Sequence, residues 1–247
     1  MSNRVKGKQS SAQRVRAASN AGKGRSTTWI WIAAIVAVVV IGVVVIAVGR
    51  GSGGSSASGG GSSPSGGTVV PNGKLDFGTI AVNGTPLPEL SPGGADAAVG
   101  QTIPQISGSQ FDGRQLDIVP NDGKPKIIMV VAHWCPHCRA EVPRIQQWLD
   151  DAGMPADVEL VTIATSNNPA NPNFPAADWL RREKWSVPTI VDDKQNQANS
   201  ALGVSGFPFF VVTNGQGKVV YRTSGELTQD QWNALLTAAR TGTAPSA

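Results

Sequence analysis

The sequence predicts an α/β domain in its second half, with one parallel strand pair and one closing hairpin in a mixed sheet flanked by helices. Three observations carry this. Lys126 to Ala132 is a short apolar, β-branched run of the kind found in buried strands, and Arg139 to Leu149 follows it with Val142, Ile145 and Trp148/Leu149 at helical spacing. A second strand-like run, Asp157 to Thr165, comes after that helix, so the two strands are expected to be parallel with a right-handed crossover. The chain then closes on strand, turn, strand and helix: Phe209–Thr213, Asn214-Gly215-Gln216-Gly217, Lys218–Arg222 and Leu227–Arg240.

Ahead of this domain the composition changes three times. Residues 1–28 contain Arg4, Lys6, Lys8, Arg14, Arg16, Lys23 and Arg25 and no acid. The remaining fourteen Lys and Arg stand against seventeen Asp and Glu, which leaves residues 29–247 at −3. The formal charge of +4 therefore belongs to the tail, and nucleic-acid binding by the domain is not supported. Residues 29–48 are twenty uncharged residues of Ile, Val, Ala, Trp and one Gly42. At about 1.5 Å per residue such a helix spans a hydrocarbon core of roughly 30 Å. Trp29 and Trp31 suit the headgroup boundary, and the basic flank keeps the N-terminus cytoplasmic.

The expected arrangement is a single-pass cell-membrane anchor with everything after Gly49 outside. A cleaved signal peptide is the alternative; its apolar core is usually about 7–15 residues, and Ala47-Val48-Gly49 is only a weak cleavage site. No cysteine near the run would serve a lipoprotein anchor. Residues 49–67 are Gly and Ser apart from Arg50, Ala57 and a single Pro64, a flexible tether of roughly 25 Å reach.

Residues 68–99 show scattered Pro and Gly and little periodicity, an irregular, partly ordered lead-in. The globular domain is expected over 100–240, opening on Gly100 to Pro104 as an edge segment and Phe111 to Leu116 around a hairpin turn, and leaving 241–247 as a flexible end. Between the second strand and the closing hairpin lie a Pro- and Asn-rich loop (166–175), a short helix (Ala176–Trp185), a strand (Val187–Val191) and a short polar helix (Gln195–Leu202).

Both cysteines and both histidines fall in His133-Trp134-Cys135-Pro136-His137-Cys138, at the strand-to-helix junction. There Cys135 would feel the unpaired N–H groups and positive end of the helix dipole, Pro136 suits the first helical position, and His137 adds positive charge. Such surroundings lower a cysteine pKa to roughly 3.5–7.5. Cys135 is then the attacking nucleophile and Cys138, one turn in, the resolving thiol. A dithiol carries its own two electrons, so neither organic cofactor nor metal is implied.

Two other readings use the same residues. His133, Cys135, His137 and Cys138 have the count of a closed zinc or copper site, but crowd into one junction with no distant ligand pair. A purely structural disulfide would close too short a loop to restrict the unfolded chain much.

Trp134 to Cys138 resembles the active site of the thioredoxin superfamily, with the Pro-His pair of the disulfide oxidase DsbA. Pro143, five residues after Cys138, adds to the resemblance, as do G-x-x-x-P and F-x-G elements before the site and the β-turn-β-α close. The extra strand and helix inserted between the second strand and that close resemble the TlpA-like branch.

The resemblance implies a thioredoxin-like fold and thiol–disulfide exchange with exported proteins, reset by a membrane redox partner. It also implies a cis-proline facing the dithiol, for which Pro208 is chosen over Pro188 because a hairpin and helix follow it; with Phe207 it would shape the peptide-binding surface. Trp134 is expected beside the dithiol, or alternatively as a core aromatic. Relatives often carry a buried acid six residues before the first cysteine, where this chain has Met129. No buried carboxylate is therefore expected near the thiols, and Glu141, one turn after His137 and within pairing reach of it, is expected to be a solvated surface charge. The Pro-His pair and Met129 point to an oxidant; the TlpA-like insertion points to a reductant, for instance of the cytochrome c maturation kind.

Overall fold

A computed structural model describes residues 68–69 and 74–245 of the chain. The expected tail (1–28), apolar run (29–48) and linker (49–67) lie outside the described residues, among which no helix is long and apolar enough to cross a membrane.

The elements in order are β1 (Thr68–Val69), β2 (Leu75–Phe77), β3 (Ala81–Asn83), β4 (Gln105–Ser109), β5 (Gln115–Ile118), β6 (Lys126–Val131), α1 (Pro136–Ala152), β7 (Glu159–Ala164), α2 (Ala176–Arg182), β8 (Thr189–Val191), α3 (Gln197–Ala201), β9 (Phe209–Thr213), β10 (Val219–Ser224) and α4 (Gln229–Thr241). β1 and β2 form a small antiparallel pair; the main sheet runs β10-β9-β6-β7-β8-β4-β3, with β5 also on β4. β6 pairs parallel with β7 and antiparallel with β9, giving the mixed sheet, and β7 pairs parallel with β8. The inserted elements α2, β8 and α3 occur where the sequence predicts them, each within a few residues.

β6 reads as a continuous apolar run because both its faces are covered. Ile127, Met129 and Val131 face a layer containing α1, α2 and α4, with Val142, Ile145, Trp179, Trp232 and Leu235. Ile128 and Val130 face the opposite layer, with Ile103, Ile106, Ala198 and Leu202. A strand buried on both sides leaves its C-terminal end, where α1 begins, rigidly placed.

The stretch 68–99 is built into the fold more deeply than its sequence suggests. β3 forms the edge of the main sheet, pairing antiparallel with β4. Further on, Leu87 and Leu90 donate backbone bonds to Ala201 and Gly203. The anchor is Arg222 of β10, whose side chain is fully buried: it bonds both oxygens of Asp96 at 2.9 and 2.5 Å and the carbonyls of Pro88 and Leu202 at 2.9 Å. Gly203 makes this close passage possible, since a Cβ there, at φ 63°, would fall 2.2 Å from the Pro88 carbonyl oxygen. Strands of two or three residues, followed by a segment held by partners more than a hundred residues away, leave no local period to detect.

Candidate active site

The end of β6 and the start of α1 form the junction the sequence predicts. Cys135 is the N-cap of α1, in extended conformation, with Pro136 in the first helical turn. Its Cα therefore sits beside the free N–H groups of the helix start. Only 6% of Cys135 is exposed, and its Sγ–H donates to the Phe207 carbonyl oxygen at 3.5 Å. The Phe207–Pro208 peptide bond is cis, and the Phe207 carbonyl contact places this predicted pair against Cys135; Pro188 has a trans bond. A second cis bond, Phe174–Pro175, was not expected from the sequence.

Cys138 lies one turn in and is fully buried. Burial pushes its thiol well above the ordinary range; a backbone hydrogen bond from Ala132 pulls the other way, and the nearby Cys135 and Glu141 add to the rise. The two sulfurs are thus chemically unequal, one at the helix start and near the surface, the other held as a thiol.

Two expectations are corrected here. Glu141 is not a solvated surface charge: its side chain is fully buried, accepting from the Leu227 N–H at 3.0 Å and from Arg144 Nη1 at 2.8 Å. Burial pushes its carboxyl up to about 7, against the Leu227 and Arg144 contacts that favour the anion. Met129 therefore does not leave the dithiol without a buried carboxylate; the acid comes from α1, one turn after Cys138. It shares a stripe with the buried Cys138, Val142 and Ile145, a spacing that placed it on the core side of the helix.

The second correction concerns His137, which pairs not with Glu141 but with Glu226 of the β10–α4 loop, Nδ1 to Oε1 at 2.8 Å. The other Glu226 oxygen takes Arg144 Nη2 at 2.8 Å, so a hydrogen-bonded network of ionisable groups runs His137, Glu226, Arg144, Glu141. The hydrogen bonds from His137 and Arg144 hold the Glu226 carboxyl below its usual range. Glu226 is 89 residues from His137, and nothing local in the sequence signals the pair.

The other side of the junction is uncharged. Trp134 donates its indole N–H to the Ser166 carbonyl at 2.9 Å and meets the Phe207 ring edge-on, centroids 6.0 Å apart. It is a partly buried wall of the dithiol, packed at the same time against the core. His133 is buried, its Nδ1–H donating to Pro172 O at 2.7 Å and its Nε2 accepting from the Asn168 N–H at 3.1 Å. Burial lowers its pKa, so it is a neutral ring with both nitrogens committed. That commitment removes His133 from the four-ligand metal set. Among the described residues no group of three or more His, Cys, Asp and Glu is placed to hold a metal.

Residues 98–236 match the Redoxin family. A curated relative, the thiol:disulfide interchange protein DsbE of Pasteurella multocida, is 30% identical over 139 residues, 56% of this chain and 72% of that protein. The sporulation thiol-disulfide oxidoreductase A of Bacillus subtilis is 27% identical over 122 residues, 49% of this chain and 71% of that protein. Among solved structures, a thioredoxin family thiol:disulfide interchange protein from Chlorobium tepidum aligns with a TM-score of 0.47 at 23% identity, over 59% of this chain and 99% of that one.

Proposed function

The chain belongs to the Redoxin family, as a thiol-disulfide oxidoreductase of TlpA/DsbE-like type with a thioredoxin-like α/β fold, and from that premise we propose that it exchanges disulfides with exported proteins as a membrane-tethered extracytoplasmic oxidant. The observation that carries the reading is the inequality of the sulfurs: Cys135 at the N-cap of α1 against the Phe207 carbonyl, Cys138 buried one turn behind it.

In the oxidising direction, a substrate thiolate attacks Cys135 Sγ of the Cys135–Cys138 disulfide and expels the Cys138 thiolate. The substrate's second thiolate then attacks its own sulfur in the mixed disulfide and expels Cys135 as thiolate, the better leaving group at the helix start. Two electrons end on the dithiol, and a membrane redox partner takes them away. Cys138 needs a proton as it leaves, and Glu141, with a carboxyl near neutrality one turn away, is the acid at hand. Trp134, Phe207 and Pro208 supply the surface against which the polypeptide lies.

Oxidant character is supported by the place of Cys135 at the N-terminus of α1 with His137 in the first turn, because positive charge beside that sulfur favours the reduced protein. One observation favours the reductant reading: the Glu226 partner of His137, its carboxyl held below the usual range, brings negative charge toward the site. The reduction potential of the full chain separates the two. A value well above that of cytosolic thioredoxin, about −270 mV, supports the oxidant, and a value as low as thioredoxin's supports the reductant.

The tether rests on residues 29–48 and their basic flank. The full-length chain is expected to remain in membranes through alkali extraction, with protease added outside cells removing the domain. Release of a mature protein beginning near Gly49 contradicts it.

A further inference from the structure

The 166–175 loop beside the dithiol has no regular secondary structure, and Ser166 and Asn173 sit at positive φ, 53° and 63°. Its placement therefore depends on side chains, and the central one is His133. A buried imidazole is stable only with its nitrogens paired, and both bonds of His133 go to this loop, at Asn168 and Pro172, while Asn173 Nδ2 donates to the His133 carbonyl at 3.3 Å and Phe174 meets the ring edge-on at 5.7 Å. One nitrogen must donate and the other accept, at positions fixed by a rigid ring, which only the neutral imidazole does. The next residue, Trp134, bonds Ser166 at the start of the same loop and touches Phe207, whose carbonyl takes the Cys135 thiol. From outside, Asn196 Oδ1 accepts the Ser166 N–H at 3.0 Å and Arg182 Nη2 donates to Asn173 Oδ1 at 3.3 Å, while Asn168, Pro172 and Asn173 are all bonded to His133, so the loop between these outer contacts is held on its inner side by His133.

We propose that His133 is a positioning residue for disulfide exchange: it latches the 166–175 loop against Trp134, and the wall so formed sets the affinity for the incoming polypeptide. His133 touches neither sulfur and moves no proton, so it acts on binding and leaves the exchange step alone. The inference rests on the oxidoreductase reading above.

The test uses the full chain and a two-cysteine fluorogenic peptide, with His133→Phe, which keeps the ring but loses both loop bonds, and His133→Asn, which keeps a donor near the Nδ1 position. KM for the peptide is expected to rise about fivefold in His133→Phe, the worth of roughly one hydrogen bond, with kcat within about twofold; His133→Asn falls between that variant and the parent. The Trp134 indole N–H, followed by NMR, is expected to exchange with solvent at least about fivefold faster in His133→Phe.

Trp134→Phe removes the indole bond and should raise KM alone, and adding His133→Phe should raise it little further, because the two act through one wall. Unchanged KM with unchanged indole exchange overturns the latch, as do fully additive KM effects or a fall in kcat at constant KM. A parent chain that exchanges no disulfide overturns the proposed function instead, and the indole exchange still reports whether His133 holds the loop.

Discussion

The dithiol has two flanks of opposite character. On the α4 side the neighbours are ionisable: His137, Glu226, Arg144 and Glu141 form a continuous hydrogen-bonded network from the surface to the buried turn below Cys138. On the loop side they are neutral: His133, Trp134, Ser166 and Asn168 are joined by hydrogen bonds between uncharged groups. The two histidines, four residues apart, show the difference in miniature, one exposed and paired to a carboxylate, the other buried with both nitrogens spent on backbone. The comparison teaches a division of labour. Charge near a sulfur changes the energy of the thiolate and hence potential and proton uptake, whereas neutral packing changes shape and hence what binds.

The strongest challenge to that division lies at the sulfurs themselves. Cys135→Ala is expected to abolish exchange and to trap nothing, while Cys138→Ala accumulates mixed disulfides with substrates, seen as thiol-sensitive high-mass species on non-reducing gels. Equal trapping by both variants would show that the nucleophile assignment is wrong.

A smaller effect comes from the buried end of the charged flank. The Glu141 carboxyl is raised from 4.5 to about 7 in the folded protein, so between those values the native state holds a proton that the unfolded chain has released. Stability must then fall as pH rises through that window, at up to about 1.4 kcal/mol per unit and about 3 kcal/mol in all, and level off above it. Glu141→Gln should flatten the profile, which denaturant unfolding at pH 5 and pH 8 measures. A parent protein as stable at pH 8 as at pH 5, relative to the variant, would remove the raised carboxyl.

The smallest effect belongs to the exposed end. His137→Ala is expected to lower the reduction potential by on the order of 20–30 mV, about 1 kcal/mol for two electrons, without the KM increase expected from the neutral flank. A potential that does not move, or a KM that does, would erase the distinction between the flanks.

Periodicity and local chemistry made most of the architecture legible before any coordinates. The apolar run before the cysteines, the helix after them and the β-turn-β-α close all carry their own signal over six or more residues, and β6, α1, β9, β10 and α4 occupy those places. The position of Cys135 is equally local, since a cysteine before proline at the start of a helical pattern suits a helix N-cap wherever the rest of the chain goes. Glu141 is within reach of the same logic, at i+3 from Cys138 on the buried stripe, but a charged residue is exposed unless something pairs it. Its partners, Arg144 and the Leu227 N–H, come one from its own helix and one from 86 residues away.

By itself the sequence determined the α/β order and the strand-to-helix junction, because each follows from residues adjacent in the chain, whereas the choice of Pro208 rests on the resemblance to the thioredoxin superfamily. Tertiary structure alone decided the surroundings. Glu226 reaches His137, the 166–175 loop closes on His133, and Arg222 draws Pro88 and Asp96 onto the sheet, all across separations of about 40 to 130 residues. Such contacts are selected by the burial of polar groups that must find a partner once the core forms, and a linear pattern of hydrophobicity holds no record of which partner that will be.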